Sequence, residues 1–278
     1  MARIESLNVL TTEDGKAYLA EEYGKVIENV QKNTISSNMK NKDLSGDPTA
    51  GTVEAKRFAN ATSQDYGSAR AAGAGNAVKA DPVTVAIDTD KEIVEEVEQK
   101  DVSLLGVEGW MARRASNHTL RMTSELDTQF FATAAEEGTA VTITDTAIED
   151  IVEALIQQCE NTQNDFVDGV DRALMHLVCN TSIYGKLRTY LDKVTEPTVD
   201  AGEETFYRYH GVKTYSTVHL PSTVDAILMV DGAVAQPVMS DQYAAEKIPL
   251  SNAYGIELFY HYGTKAVTPD LIFTYTAA

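Results

Sequence analysis

The sequence predicts an α+β chain, and three observations carry that prediction. Two long segments place apolar residues every three to four positions, the spacing that lines one face of a helix. The last third instead holds short alternating runs closed by Gly, Pro or Asp, as strands and their turns do. Between two further strands lies a stretch of about twenty residues with no period at all, too long for an ordinary connection. With 278 residues, 43% of them hydrophobic, the chain has apolar surface enough for one large domain or two modest ones.

The first helix is expected from Glu13. Tyr18, Leu19, Glu22, Tyr23, Val26, Ile27 and Val30 share a face, Thr11 or Thr12 stands where a cap belongs, and Glu13 and Asp14 fall in the first turn. From Asn33 to Gly51 the sequence turns polar and includes the Gly46-Asp47-Pro48 breaker, so the helix is expected on a tether, its apolar face free to pack outside its own core. Thr52–Phe58 and Val83–Ile87 alternate as strands. The residues between them, Ala59 to Asp81, are dominated by Ala, Gly, Ser, Asn and Gln, with Tyr66 the sole aromatic. A long two-stranded arm reaching away from the body is the expectation.

Glu92–Glu98 fits strand and helix equally. From Trp110, the residues Met111, Ala115, Met122, Leu126, Phe130 and Ala134 recur at helical spacing up to a stop at Gly138. A helix of about 28 residues is ~42 Å long, nearly the ~45–50 Å diameter of a compact chain this size. Thr146-Ala147-Ile148-Glu149 reads as a capping box opening the stripe Ile151, Val152, Leu155, Ile156 and Cys159. Ala173–Cys179 reads as a buried strand, and Asn180-Thr181-Ser182 as the cap of a helix bearing Ile183, Tyr184, Leu187 and Leu191. Strands follow at Tyr207–Tyr215, Ala226–Val230, Ile256–Tyr262 and Leu271–Tyr275.

Charge and motifs exclude several classes. Twenty-three Lys and Arg against 42 Asp and Glu leave a net charge of −19, whose field repels phosphate backbones and anionic lipid, so a nucleic-acid reader is not expected. No apolar run approaches the ~20 residues of a membrane span and no signal-peptide core follows Met1, so a soluble chain made inside the cell is expected. Cys159 and Cys179 lie in apolar segments and are expected as buried thiols. His118, His176, His210, His219 and His261 show no spacing that shares a metal, and Asp165, Asp168 and Asp171 lack the alternation and closing glutamate of a calcium loop. Gly73-Ala74-Gly75 has Val78 where a dinucleotide loop needs a third small residue, and neither a phosphate loop nor a nucleophile elbow is present. The expectation is no catalytic residue, no metal and no cofactor: not an enzyme.

A tethered helix, a long arm and a helix spanning the molecule each gain most of their contacts from neighbouring copies, which points to a self-assembling structural protein. The order of elements resembles the major capsid proteins of tailed bacteriophages, the Hong Kong 97-like shell fold. The resemblance rests on the arm Thr52 to Ile87, on Ile87-Asp88 followed by Lys91-Glu92-Ile93 and Asp101, and on a spine-like helix from Trp110 to Glu137. Asp171-Arg172-Ala173-Leu174-Met175 with Tyr184 and Leu187, Gly211-Val212-Lys213 leading to Leu220-Pro221, and Tyr262-Gly263 with Pro269-Asp270-Leu271-Ile272 complete it, over roughly residues 50 to 278.

This resemblance implies an N-terminal arm at 1–50, an extended β-hairpin loop at 51–90, a peripheral domain with the spine helix at 91–141 and 251–278, and an apical domain at 142–250. It implies hexamers and pentamers that form an icosahedral head shell enclosing double-stranded DNA without sequence-specific binding, assembled in the host cytoplasm and resident in the virion. Partners would be other copies of the chain, a separate scaffolding protein since only about fifty residues precede the arm, a portal, and a decoration protein; no membrane is implied. Contacts between subunits are assigned to Tyr66, Arg70 and Lys79 on the arm and to Tyr18 and Tyr23 on the first helix, with Lys79 also a conceivable cross-link donor that lacks a recognisable acceptor. Two alternatives stand beside this reading: an encapsulin-like cellular nanocompartment shell, and a soluble α/β enzyme whose lid is residues 59–81.

Overall fold

The computed structural model describes residues 7–61, 63, 65–67, 80–102, 106–194 and 207–277. Helix α1 (Glu13–Asn33) starts where the Thr12 hydroxyl accepts the Gly15 amide, and it buries Leu19, Tyr23, Val26 and Val30. Strands β1 (Leu44–Ser45), β2 (Thr52–Phe58) and β3 (Ala80–Ala86) form an antiparallel sheet in that order. The ambiguous acidic segment is a strand, β4 (Thr89–Glu98), because ten of its residues pair with a distant partner near the chain's end. After the short α2 (Gln99–Val102), helix α3 (Gly106–Glu137) runs 32 residues and starts one turn before Trp110.

The chain then builds a mixed six-stranded sheet. Its members are β5 (Thr139–Ala140), β6 (Met175–Cys179), β7 (Arg208–Tyr209), β8 (Val212–Ser216), β9 (Ala226–Val230) and β14 (Ile272–Tyr275), in the order β5-β14-β9-β6-β8-β7. Helices α4 (Ile148–Glu160) and α5 (Thr181–Val194) cover one face, where Leu155, Ile156, Cys159 and Leu187 meet Leu177, Leu228 and Phe273. A short pair, β10 (Val234–Ala235) with β13 (Lys265–Ala266), sits beside this sheet. Strands β11 (Val238–Lys247) and β12 (Ala253–Tyr262) join β4 in a separate antiparallel sheet, order β11-β12-β4.

Helix α3 serves both layers. Its first half packs Met111, Ala115, Met122 and Leu126 with α1 against Tyr243, Ile256, Leu258 and Tyr260 of the three-stranded sheet. Its last turns place Phe130, Phe131 and Ala134 on Val178, Ile227, Met229 and Ile272, the far face of the six-stranded sheet. Polar side chains fix the helix on the smaller sheet. Glu95 bonds Arg114 (Nε to Oε2 2.6 Å) and lies 3.2 Å from His118 Nε2, whose Nδ1 is 2.7 Å from the Tyr243 hydroxyl. Tyr262 donates to Glu125 at 2.9 Å, and Lys91 pairs with the same carboxylate at 3.0 Å.

Several expectations need correction. The segment after α1 is pinned rather than tethered: the buried Asp127 carboxylate accepts the Ile35 and Ser36 amides at 3.1 Å each, Asn41 donates to the Val234 carbonyl at 2.7 Å, and Gly232 donates to that of Met39 at 2.9 Å. Met39 is fully buried under the six-stranded sheet, and the apolar face of α1 packs on its own chain. Polar composition misled because most of these bonds use the backbone of the segment, with the Asn41 side chain adding one to the Gly232 carbonyl at 3.0 Å. Helix α4 begins one residue too late for a Thr146 cap; its N-cap is Ala147, without a side-chain hydrogen bond. Strand β11 pairs with β12, and β14 lies between β5 and β9.

Candidate assembly interface

The arm is an antiparallel hairpin whose register runs from Thr52↔Ala86 to Phe58↔Ala80. Its base is dry: Val53, Ala55 and Val85 pack on Ala235 and Val267 of the body. The backbone approaches closely there. A Cβ on Gly263 would stand 1.7 Å from the Ala86 carbonyl oxygen, so only glycine fits beneath the end of β3.

One polar clamp holds the hairpin further out. Arg57 pairs with Asp270 at 2.5 Å while its guanidinium lies 4.1 Å over the Phe166 ring, Asn164 donates to the same carboxylate, and the Asn60 amide donates to the Asp165 carbonyl at 2.9 Å. Burial pushes the Asp270 pKa up, but the bonds from Arg57 and Asn164 outweigh it and hold the carboxyl below its usual range. Sequence reasoning missed this clamp, because 213 positions separate Arg57 from Asp270 and no motif marks either.

Beyond the clamp the hairpin shows its apolar side chains to solvent. Phe58 is 57% exposed and Tyr66 is 95% exposed. Arg70 and Lys79, also assigned to subunit contacts, lie outside the described residues. The two tyrosines of α1 are placed inside the chain's own fold: Tyr18 is half-buried against the α1–α3 core, and Tyr23 is buried, edge-on to Tyr243, with its hydroxyl donating to the Phe259 carbonyl at 3.3 Å. Tyr23 is 7% exposed in the single chain. Exposed apolar residues that the sequence reading passed over include Val218 and Leu250. Their only signal was an apolar residue among Pro, Ser and Thr.

The groups with chemical potential are quiet. Burial pushes the thiols of Cys159, which Glu160 reinforces, and Cys179 up to about 12. Among the described residues no three His, Cys, Asp or Glu side chains converge as a metal site, and no helix is long and apolar enough to cross a membrane. The lid assigned to residues 59–81 falls largely outside the described residues.

A hairpin arm, a long helix under a small sheet, and a mixed sheet flanked by two helices also recur together in solved structures. A chain from Mycobacterium phage Che8 superposes with a TM-score of 0.65 at 20% identity, covering 87% of this chain and 91% of that one. The chain has the Hong Kong 97-like capsid fold. The fold is shared with a chain of the capsid of cyanophage P-SCSP1u (TM-score 0.62, 14% identity, 86% of each chain covered). A virus-like particle from Pyrococcus furiosus has it too (TM-score 0.57, 10% identity, 95% of this chain and 100% of that one). No protein-family model and no curated protein matches the sequence.

Proposed function

We propose that this chain is a major capsid protein, a non-enzymatic subunit that self-assembles into hexamers and pentamers and closes an icosahedral shell around double-stranded phage DNA in the virion. The carrying observation is the capsid fold across 87% of the chain, with the hairpin exposing Phe58 and Tyr66 clear of its own core. In this reading the hairpin, about 51–90, lies over a neighbouring subunit, and contacts run through Tyr66, Arg70 and Lys79. The 1–50 segment forms the N-terminal arm, 91–141 with 251–278 the peripheral domain, and 142–250 the apical domain near the capsomer axis. A separate scaffolding protein guides assembly in the host cytoplasm, a portal admits the DNA, and a decoration protein is accommodated outside.

Light scattering on the size-fractionated chain, with negative-stain microscopy of the earliest peak, tests this reading. Closed shells or free capsomers are expected with scaffold present; a persistent monomer or dimer overturns it. Deleting Ser63 to Asn76 is expected to leave the secondary structure intact and abolish particles. The Pyrococcus furiosus match, which covers this whole fold, favours a second reading, an encapsulin-like cellular compartment shell. Cargo separates the two: packaged DNA for the first, enclosed protein for the second.

A further inference from the structure

The layer made by α1, α3 and the three-stranded sheet carries its charge unevenly on its two sides. By strand alternation, the side chains of Asp90, Glu92, Glu96, Glu98, Glu246 and Glu257 stand on the sheet face turned away from the helices. Helix α3 lies on the other face, so its solvent side looks the opposite way. From Gly109 to Gln129 that side exposes Arg113, Asn117, Leu120, Arg121 and Thr128, neighbours at three- and four-residue spacing.

Carboxylates are missing from it. The stretch holds only two, and both are turned inward: Glu125 bonds Lys91 and Tyr262, and the buried Asp127 accepts the Ile35 and Ser36 amides. Arg113 and Arg121 are exposed and form no ion pair among the described residues. Helix α1, alongside, pairs most of its acids, with Lys16 on Glu13, Lys25 on Glu21 and Glu22, and Lys32 on Glu28, and leaves Asp14 in its first turn. A chain of net charge −19 thus keeps two unpaired arginines along one helix face, while the opposite sheet face is rich in carboxylates, of which Glu98 pairs with Lys100 and Asp90 bonds His261.

A polyanion is repelled by the acidic sheet face and finds its cationic partners on the α3 face. Arginines flanked by amide and hydroxyl groups are the set that contacts phosphate, and a single exposed helix face at this charge density reads no bases. Resting on the shell reading above, we propose that the solvent side of α3 lines the lumen and contacts the phosphate backbone of the enclosed DNA through Arg113 and Arg121, with the acidic sheet face turned outward. Each subunit supplies two weak contacts, each adding about 0.9 to the salt dependence of binding, and the array multiplies them.

Photo-crosslinking in DNA-filled particles tests the assignment. A benzophenone side chain is placed in separate variants by Asn117→p-benzoylphenylalanine and Ser124→p-benzoylphenylalanine on the helix, and by Val94→p-benzoylphenylalanine on the acidic sheet face. Irradiation is expected to give protein–DNA adducts from 117 and 124 and none from 94; two helix positions guard against one that fails to assemble. Adding Arg113→Gln with Arg121→Gln to the Ser124 probe is expected to lower the adduct yield about threefold or more. Equal adducts from both sides, adducts from 94 alone, adducts from 117 and 124 only to polypeptide, or a yield indifferent to the arginines would each overturn the proposal. Failure of the shell reading shows separately, as an unsubstituted chain that forms no particles before any irradiation.

Discussion

Two segments of this chain are poor in apolar pattern, and they behave in opposite ways. Residues 34–51 are polar yet lie along the body, held by the Asp127 carboxylate and by backbone bonds to residues 232 and 234. The β2–β3 hairpin contains better strand sequence yet leaves the body, held at its base by Val53, Ala55 and Val85 and further out by the Arg57–Asp270 clamp and the Asn60–Asp165 bond. Side-chain hydropathy alone therefore does not decide which segment is an arm. The decision lies with where the backbone amides find partners, and those partners come from parts of the chain far away in sequence.

The comparison can be broken most strongly at the hairpin base. Gly263→Ala sets a methyl against the Ala86 carbonyl, which cannot yield without moving β3, and is expected to cost about 3 kcal/mol or more. A urea melt should show the loss, with hydrogen exchange rising first in β2 and β3; an unchanged midpoint would mean that the hairpin base is looser than its close packing implies. Asp127→Ala strikes the other segment. It leaves two backbone amides without their acceptor and is expected to cost about 2 kcal/mol, with protection lost around residues 35–41 and kept in the hairpin.

Acid should separate the two segments as well. Burial holds the imidazoles of His118 and His176 below their usual range, against the pull of Glu95 and Asp231 in the opposite direction. Below about pH 6.5 the unfolded chain takes up protons that the folded state refuses, so stability is whole above that pH and declines as the pH falls through it. Asp270 has the other sign: its depressed pKa contributes stability that is present above about pH 4 and lost only below it. Exchange measured at about pH 5.5 should loosen the α1–α3 layer, where His118 meets Tyr243, before the hairpin clamp; the reverse order would contradict this account. The smallest effect is expected from Arg57→Ala, about 1 kcal/mol, with faster proteolysis in 59–79 as the sharper readout.

Much of the architecture was legible. The α1 face, the long helix and the stripe of α4 follow from the 3.6 period that Tyr23, Met122 and Leu155 display, strand β2 from alternation, and β6, β9 and β14 from short runs such as Ala226–Val230 that are buried on every residue. Strand β4 was undecidable because its exposed positions carry Asp and Glu, poor strand formers, and only ten paired residues of β12 settle it. Of the residues assigned to subunit contacts, Tyr66 is solvent-exposed on the hairpin, whereas Tyr23 packs into the core from a position that the helical period had itself marked as apolar.

By itself, then, the sequence determined the helices, most strands, the net charge of −19 and the presence of an arm, because these depend on local spacing and on composition. The tertiary structure alone decided that the N-terminal segment is pinned, that Arg57 and Asp270 clamp the hairpin, and that an arginine-bearing face of α3 and a carboxylate-rich sheet face stand on opposite sides of one layer. Each of these depends on which distant backbone amide, carboxylate or sheet face lies nearby, and neither composition nor periodicity records distance across the fold.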